Sequence, residues 1–203
     1  MPKVTFFNLP ENKKQTLLHA AKNEFSRVPL FDASISNIIK SAGIPRGSFY
    51  QYFEDKEDAF FYLLGEFAKE KKCRFLEILL KHDGDLFDSY IEFFDLIISE
   101  EENLQFLQNA LLNMTHKIER TFEKMVSENE INEDFTKISI LINKNKLSIE
   151  SDKELFHAVQ IITTVMFRNL IHTFAQEVSY QEAMENYRLE ISLLQKGLSS
   201  NKI

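Results

Sequence analysis

The stretch SISNIIKSAGIPRGSFYQYFEDK, from Ser34 to Lys56, decides the fold of this chain. Its first part repeats apolar residues with the spacing of one helix face, at Ile35, Ile38, Ile39 and Ala42. Ser34 stands directly before that run, where its hydroxyl is expected to accept a hydrogen bond from an unpaired backbone N–H as an N-cap. The pattern therefore predicts a short helix that begins next to Ser34.

A tight turn is predicted to follow this helix. Gly43 is expected to end the helix, because glycine takes the left-handed conformation of a helix C-terminus without steric cost. Pro45 is expected to start a second helix, since its fixed φ suits a first helical turn and no hydrogen bond is lost there. Two short helices joined by a glycine turn form a helix-turn-helix layout, whose second helix enters the major groove of DNA. DNA binding is therefore the leading hypothesis.

The distribution of charge agrees with a basic module on an acidic body. The whole chain has a formal net charge of −7. Residues 1–53 carry seven basic and three acidic side chains, a net charge of +4, and the remainder carries 17 basic and 28 acidic ones, a net charge of −11. This split favours attraction of phosphate at one end only, although uneven charge also arises by chance.

Composition restricts the class of protein. Hydrophobic residues make up 44% and charged residues 27% of the 203 positions, as in ordinary folded soluble proteins. Cys73 is the single cysteine, so no intrachain disulfide forms and a reducing compartment is the simpler interpretation. No apolar run suits a signal peptide or a bilayer span, and we predict a cytoplasmic protein. The dispersed histidines and Cys73 have no metal-ligand spacing, so we predict no metal and no cofactor.

Glycine and proline mark out an all-α architecture without a sheet. All four prolines lie in the first quarter of the chain, and the long remainder is rich in helix-forming residues at helical spacing. We predict helices over residues 10–26, 55–81, 86–100, 134–143, 152–177 and 180–196, with one or two more between residues 104 and 128. The predicted domains are a three-helix DNA-binding domain over residues 1–54 and a larger helical domain over residues 55–203.

The last two predicted helices indicate a homodimer. The helix over residues 152–177 is apolar on more than one stripe, so it is expected to be buried on two sides. One side faces its own core, and a second copy of the chain is the economical partner for the other; the alternative is a central helix in a monomeric bundle. The residues predicted to form the dimer interface are Ile162, Met166, Ile191 and Leu194.

The block from Ser34 to Phe60 resembles the DNA-binding signature of TetR-family transcriptional regulators. That signature has a helix with I-x-x-A-G, a short helix of the form K/R-G-[ST]-[LF]-Y-x-[HY]-F, and a [SD]-K-[ED] start to a long helix. The matching residues are Ile38, Ala42, Gly43, Arg46, Gly47, Ser48, Phe49, Tyr50, Tyr52, Phe53, Asp55, Lys56 and Glu57. The chain departs from the family at Ile39, commonly alanine, and in the loop Val28–Phe31, which lacks the usual glycine.

The chemistry of the short module predicts both its core and its DNA contacts. The residues expected in the core are Phe25, Phe31, Ile38, Ala42, Ile44, Phe49 and Phe53. The residues expected to contact DNA are Ser34, Ser36, Asn37, Pro45, Arg46, Gly47, Ser48, Tyr50, Gln51, Tyr52 and Lys56. Arg46 has the geometry to fork onto guanine, and the hydroxyls suit phosphate oxygens. Gln51 suits adenine or solvent about equally, and Lys56 resembles the family's phosphate-contacting lysine.

The resemblance implies that residues 55–203 form a ligand-binding and dimerisation domain. Nineteen phenylalanines and no tryptophan suggest an apolar interior and an apolar or acyl-like effector. The candidate ligand contacts are Phe93, Phe94, Phe106, Asn109, Asn113, His116, Phe167 and His172. For each phenylalanine, a place in an ordinary core is the more common role, and buried polar groups also pair with the backbone.

These features together predict a ligand-responsive repressor, not an enzyme. The resemblance implies a homodimer on a palindromic DNA operator, released when an effector binds. Two alternatives stay open: a DNA-binding protein without a small inducer, acting as an activator or in division, and a helical small-molecule carrier. The sequence has no nucleophile elbow, no glycine-rich phosphate loop and no paired carboxylates in an apolar context, so an enzyme is disfavoured.

Overall fold

The structure is a computed structural model, and it describes residues 1–113, 115, 117–118 and 133–198. Ten α-helices lie in these ranges, in the order α1 Val4–Phe7, α2 Glu11–Arg27, α3 Ile35–Ala42, α4 Arg46–Tyr52, α5 Lys56–Lys81, α6 Leu86–Ser99, α7 Glu101–Leu112, α8 Glu133–Leu141, α9 Asp152–Ala175 and α10 Tyr180–Leu198. A 3₁₀ turn at Lys144–Lys146 separates α8 from α9. The described part contains no β-strand, and the predicted all-α class with a helix-turn-helix domain is confirmed.

Side-chain caps explain where three of the long helices begin. The Asp55 carboxylate accepts a hydrogen bond from the Asp58 N–H at 2.7 Å at the start of α5. Asp85 accepts from the Asp88 N–H at 3.1 Å at the start of α6. The Ser151 hydroxyl accepts from the Glu154 N–H at 3.2 Å at the start of α9. Each cap satisfies a donor that has no partner inside its own helix.

The helix α1 is the element that the sequence did not predict. It has four residues, too few for a hydrophobic period to be recognised. Its position is fixed by Phe6, which is fully buried. The other helices within the described ranges start and end within a few residues of their predicted bounds. Their apolar periodicity extends over many residues, and polar segments separate one helix from the next.

The chain divides into two compact units. Unit 1 comprises Met1–Ala68 and the segment that begins at Glu102, and unit 2 comprises Lys69–Glu101 and the described residues from Glu133 onward. The predicted boundary after residue 54 follows the sequence motif, whereas the compact unit 1 also contains the first half of α5 and most of α7. Sequence patterning detects helix ends, but it does not show which helices share a core.

Unit 1 is built on an aromatic core. The rings of Phe25 and Phe60 lie 5.2 Å apart, and those of Phe60 and Phe106 lie 5.5 Å apart. Phe49 and Phe53 are fully buried, with ring centroids 5.5 Å apart. The first two contacts join α2, α5 and α7, and aromatic pairs of this kind add about 0.5–1.5 kcal/mol each beyond the area that they bury.

The prediction that Phe31 belongs to this core is wrong. Phe31 is 68% exposed in the loop between α2 and α3. The loop turns at Pro29, whose carbonyl accepts from the N–H groups of Asp32 and Ala33 at 3.0 and 3.1 Å. This turn places Ala33 inside, at 5% exposure, in the place where the sequence suggested an aromatic ring.

Unit 2 contains α6, α8, α9, α10 and the second half of α5. Its centre holds Tyr187 of α10, fully buried and stacked on Phe94 of α6 with ring centroids 4.1 Å apart. The Tyr90 hydroxyl of α6 lies 2.6 Å from the Thr163 hydroxyl of α9. Asn169 of α9 donates to the Glu190 carboxylate of α10 at 2.7 Å. These contacts join three helices around one core.

The residues predicted for the dimer interface lie mostly in this core. Ile162, Met166 and Ile191 are 0%, 3% and 0% exposed within a single chain, and Leu194 is half-buried. A side chain that is covered by its own protomer has no surface left for a second copy, so these three residues are not interface contacts. The wide apolar face of α9 is covered by α6, α8 and α10 instead.

Candidate nucleic-acid interface

The turn between α3 and α4 has the geometry that the glycine predicted. Gly43 adopts φ 65° and ψ 32°, the left-handed conformation that side chains disfavour. The Ile44 N–H then donates to the Ile39 carbonyl at 3.1 Å, which closes the end of α3. Pro45 is the N-cap of α4 and not its first helical residue, so α4 begins at Arg46.

The Glu24 carboxylate fixes α2 against α3. It is 6% exposed and accepts from Arg27 Nη2 at 2.8 Å, from the Ser34 N–H at 2.8 Å and from Asn37 Nδ2 at 3.1 Å. The bond from Arg27 is the main reason that the pKa of Glu24 is lowered, against the opposing effect of burial. Glu24 holds both the start of α3 and its first turn, a role that sequence reasoning missed.

This carboxylate changes two of the predicted contacts. Ser34 occupies the N-cap position as predicted, but its hydroxyl makes no capping bond, and its backbone N–H binds Glu24. The Asn37 amide is also bound to Glu24, so its donors face the protein. Neither the hydroxyl cap nor a free Asn37 amide is present. Ser36, between them, is exposed.

Most of the side chains predicted to contact DNA lie on the outer surface of α4. Arg46 and Gln51 are exposed, and the guanidinium of Arg46 has no partner in the described part of the chain. Tyr50 is 39% exposed, with its ring edge against Phe49 at 5.6 Å. Ser48 and Tyr52 are half-buried, while Pro45 and Gly47 are exposed. Phe49, on the opposite face, is fully buried and anchors the helix.

Gly47 has no steric reason to be glycine within the protein itself. A Cβ built at this position meets nothing within 4 Å, and its φ is not left-handed. Glycine inside a helix costs about 0.5–1 kcal/mol relative to alanine. A glycine that is costly and sterically unnecessary to its own fold is consistent with close approach of another molecule.

Lys56 has a partner inside the protein. Its ammonium donates to the carbonyls of Phe31 at 2.5 Å and Ala33 at 3.0 Å, both in the loop between α2 and α3. An ammonium has three donors, so one remains for a phosphate oxygen. Lys56 therefore fastens the loop at the start of α5, in addition to any role on DNA.

A cleft in unit 2 is the candidate effector site. Its cavity volume is about 30 Å³, and it is partly open to solvent. Its lining comes from α5, α6, α8 and α9, and consists of Lys72, Phe75, Tyr90, Phe93, Ile138, Thr163, Met166 and Phe167. The hydroxyls of Tyr90 and Thr163 bond to each other, and burial raises the pKa of Tyr90 to about 12. The cleft is thus apolar in character, with one cationic side chain in its lining.

Two of the predicted ligand contacts, Phe93 and Phe167, line this cleft. Phe94 does not, because its ring stacks on Tyr187. His172 is exposed, and His116 lies outside the described residues.

The three remaining ligand candidates, Phe106, Asn109 and Asn113, belong to unit 1. Phe106 is 2% exposed and packs in the aromatic core. The Asn109 amide donates to the carbonyls of Phe25 at 2.9 Å and Ser26 at 2.8 Å. The Asn113 amide donates to the Asn109 carbonyl at 3.0 Å. The structure thus gives these side chains internal roles and not places in the cleft.

Sequence reasoning missed six of the eight cleft residues. Lys72 and Phe75 lie one turn apart on α5, and Met166 and Phe167 are neighbours on α9. Nothing in the periodicity of either helix distinguishes a residue that faces a cleft from one that faces a packed neighbour. The cleft arises from how four helices pack, which the sequence of each one does not specify.

Two family models together match most of the chain. The model for "Bacterial regulatory proteins, tetR family" matches residues 17–63, and the model for "Tetracyclin repressor-like, C-terminal domain" matches residues 85–198, more than half of the chain. The chain belongs to the TetR family of transcriptional regulators. This family is a class of DNA-binding regulators and not a class of enzymes, and its members usually bind DNA as dimers.

Individual relatives agree with the TetR assignment. An uncharacterized HTH-type transcriptional regulator, YdgC of Bacillus subtilis (strain 168), is 42% identical over 74 residues, which span 36% of this chain and 37% of the relative. A putative TetR-family regulator from Mesorhizobium loti has a TM-score of 0.66 at 15% identity, covering 94% of this chain and 98% of the other. FadR from Bacillus subtilis, in complex with stearoyl-CoA, has a TM-score of 0.63 at 17% identity, covering 90% and 98%.

Two other kinds of site are absent from the described part of the chain. Among the described helices, none combines the length and apolar character that a bilayer span requires. Within the same described ranges, no three histidine, cysteine or acidic side chains are grouped as metal ligands.

Proposed function

We propose that this TetR-family chain is a ligand-responsive repressor that binds a palindromic operator as a homodimer and is released by a small apolar effector. The observation that carries the proposal is the outer surface of α4. It presents Arg46, Tyr50 and Gln51 to solvent on a helix whose inner face is anchored by the buried Phe49. A short, rigidly anchored helix with exposed polar side chains suits insertion into the major groove.

Arg46 is the proposed base-reading residue. It lies in the first turn of α4, is exposed, and has no partner within the described residues. A guanidinium presents parallel N–H donors that match O6 and N7 of guanine. The hydroxyls of Ser48, Tyr50 and Tyr52 suit phosphate oxygens, which set the register of the protein on the duplex but carry no sequence information.

Homodimerisation is proposed to use the exposed faces of α9 and α10. Ile161, Leu189 and Leu193 are 49%, 60% and 58% exposed. Arg168, two turns beyond Ile161 on the same face of α9, pairs with Glu190 beside Leu189 on α10. The two helices are therefore neighbours, and we propose that a two-fold axis beside them buries their exposed apolar side chains against a second copy.

The cleft in unit 2 supports an effector with an apolar body. Five of its eight lining side chains are Phe, Ile or Met, and the hydroxyls of Tyr90 and Thr163 already bond to each other. Lys72 is the one cationic residue in this lining. FadR of Bacillus subtilis binds stearoyl-CoA on a similar fold, and an acyl chain with an anionic head has the chemistry that this lining favours.

A route from effector to DNA is proposed along α5. This single helix contributes Lys72 and Phe75 to the cleft and Lys56 to the loop that precedes α3. An effector releases DNA only if it binds the released conformation more tightly. Two half-sites lie about 34 Å apart on one face of the duplex, so a small change in the separation of two α4 helices prevents simultaneous docking.

The alternative function is a DNA-binding regulator without a small effector. It differs from the proposal in having no ligand in the cleft lined by Phe93 and Phe167, a cavity of about 30 Å³, and effector titration distinguishes the two. A carrier function is disfavoured by the exposed, polar outer surface of α4, which a carrier does not need.

The experiment that tests the proposal is selection of the purified protein on a random duplex library, read out by sequencing. We expect enrichment of a palindrome with half-sites about one turn apart. Arg46→Ala is expected to relax specificity at one base of each half-site, at a cost of about 1–3 kcal/mol. Arg74→Ala is the matched control, because Arg74 is exposed on α5 and pairs with Glu77 in unit 2.

The outcomes separate the candidate functions. No enrichment from folded protein would contradict sequence-specific regulation, and unchanged specificity in Arg46→Ala would remove Arg46 from base reading. The enriched complex is then titrated with stearoyl-CoA and with smaller apolar compounds. Release of the DNA supports an effector, and retention with every compound favours the regulator without an inducer.

A further inference from the structure

The end of α4 lacks the usual means of satisfying its last carbonyls. The helix has seven residues and is followed by Phe53 in an extended conformation, with φ −124° and ψ 151°. No glycine in the left-handed conformation closes it, in contrast to Gly43 at the end of α3. The last carbonyls of a helix have no partner inside the helix and require donors from elsewhere.

Residues before α2 supply these donors. The Lys3 backbone N–H donates to the Tyr52 carbonyl at 2.8 Å, and the Lys3 ammonium donates to the Tyr50 carbonyl at 2.7 Å. The Thr5 hydroxyl donates to the Gln51 carbonyl. Three consecutive carbonyls of the last turn of α4 are thus bound by two residues, and the positive charge of Lys3 also lies at the negative end of the helix dipole.

Phe6 anchors this segment in the core of unit 1. Its side chain is fully buried, with ring centroids 5.0 Å from both Phe53 and Tyr62. The side chains of Lys3 and Thr5, by contrast, are exposed. Their bonds to α4 are therefore not a by-product of burial. They connect an anchored segment to the exposed turn of the helix that carries Tyr50, Gln51 and Tyr52.

We propose that Lys3 and Thr5 are positioning residues for DNA reading, which hold the last turn of α4 in the orientation that the operator meets. This inference rests on the function proposed above. Neither residue needs to touch DNA for this role. With these donors bound, the backbone of Tyr50, Gln51 and Tyr52 is already ordered in the free protein, so DNA binding does not have to order it. Without the donors, part of the binding free energy is used to order that turn.

The test removes one donor without changing charge or shape. Thr5→Val lacks the hydroxyl, and Thr5→Ser keeps it. Thr16→Val is the matched control, because the Thr16 hydroxyl is exposed on α2 and donates to the Asn12 carbonyl at 2.8 Å within its own helix. Each variant is measured for affinity to the selected operator and to non-specific duplex, over a range of salt concentrations, and for amide hydrogen exchange of the free protein.

We expect Thr5→Val to lose about threefold to tenfold in operator affinity, the effect of one net hydrogen bond. Non-specific affinity and the slope of affinity against salt are expected to stay unchanged, since no charge is removed. Exchange of the amides near Phe53 is expected to rise, while that of α3 stays the same. Thr5→Ser is expected to keep the wild-type operator affinity and amide exchange, and Thr16→Val is expected to change neither of them.

Lys3→Met separates positioning from a direct phosphate contact. If Lys3 acts on α4, its loss lowers operator affinity more than non-specific affinity. If Lys3 instead binds phosphate, both affinities fall alike and the salt slope decreases by about one, which overturns the positioning role of Lys3.

Failure of this inference is distinguishable from failure of the proposed function. If the wild type enriches no operator, the proposed function fails, and so does any role in reading DNA. If the wild type binds its operator and Thr5→Val binds it equally well, the positioning role is overturned while the proposed function stands. Unchanged amide exchange in Thr5→Val would overturn the contact with α4 itself.

Discussion

At the scale of single residues, Gly47 carries the most direct indication of an external contact. It is exposed in the first turn of α4, and no neighbouring atom would obstruct a Cβ there. Gly43, in contrast, is required by its own backbone, since its φ is 65°. The backbone conformation of the protein thus explains the glycine at position 43, whereas contact with another molecule is the proposed reason for the glycine at position 47. The sequence pattern alone treats them alike.

Gly47→Ala is therefore expected to change stability and DNA binding in opposite directions. The added methyl should stabilise the folded protein by up to about 1 kcal/mol, because alanine is the better helix former. On the operator it should cost about 1–3 kcal/mol, the usual effect of forcing a methyl group into a packed contact. Urea unfolding measures the first effect, and titration with the selected operator measures the second.

Gly65→Ala provides the matched control for this variant. Gly65 also lies in a helix, α5, with nothing within 4 Å of a built Cβ. It should show a similar gain in stability with unchanged operator affinity. If Gly47→Ala binds the operator as tightly as Gly65→Ala, the backbone of α4 does not approach DNA closely at this position.

Single residues also show where sequence reasoning fails. Phe31 has the composition of a core residue but is exposed, because the turn at Pro29 places Ala33 inside. Arg46, Tyr50 and Gln51, which the motif predicts to contact DNA, are each exposed on α4. Helical spacing fixes which face of a regular element a residue occupies. Within a loop, no comparable period exists.

At the scale of helices, two ends of the DNA-binding module are capped by residues far away in the sequence. Helix α2 is followed by Val28 in an extended conformation, and the Asn109 amide of α7 binds the carbonyls of Phe25 and Ser26. Helix α4 is capped by Lys3 and Thr5. Neither helix end has a glycine, so the sequence predicts the two helices but not the donors that bind their last carbonyls. Asn109, which the sequence predicts as a ligand contact, completes the end of α2 instead.

The carboxylate of Glu24 on α2 connects this helix to the start of α3. Its pKa is lowered chiefly by the hydrogen bond from Arg27. A carboxyl with a lower pKa in the folded state stabilises the fold above its unfolded pKa of about 4.3. This contribution is lost as the pH falls through the lower, folded pKa.

Glu24→Gln is accordingly expected to destabilise unit 1 at pH 7 by about 1.5–3 kcal/mol, the range for hydrogen bonds to charged groups. The difference in unfolding free energy from the wild type should shrink as the pH falls below about 4.3. Urea unfolding at pH 7 and at several acidic pH values measures it. Glu11→Gln is the control, because that carboxylate is exposed on α2 and exposed pairs contribute little. A difference that does not depend on pH would contradict an ionised Glu24.

At the scale of the whole molecule, burial within one chain decides which apolar residues are available to a second copy. The helix α9 was predicted to need an external partner, because its apolar residues cover more than one stripe. Within unit 2, the described helices α6, α8 and α10 pack against these apolar stripes of α9, and Ile162, Met166 and Ile191 are buried. Hydrophobic periodicity shows that a helix is enclosed, but it does not show whether the enclosing helices belong to the same chain.

The exposed residues Leu189 and Leu193 are the better test of the proposed dimer. They lie four residues apart on α10 and are 60% and 58% exposed. A stable interface buries about 800 Å² of surface per partner, with few charges at its centre. Two glutamates at this centre would leave four unpaired carboxylates facing one another across a two-fold axis. The double variant Leu189→Glu with Leu193→Glu is therefore expected to be a folded monomer.

Sedimentation velocity and circular dichroism separate the outcomes of this experiment. The expected result is a monomer with unchanged helix content and an operator affinity reduced to that of a single half-site. Leu80→Glu is the matched control, since Leu80 is 61% exposed on α5 and should leave the oligomeric state unchanged. An intact dimer in the double variant would place the interface on another surface. Glutamate at Ile162 would be uninformative, because charge in that core unfolds unit 2 whatever the protein's oligomeric state.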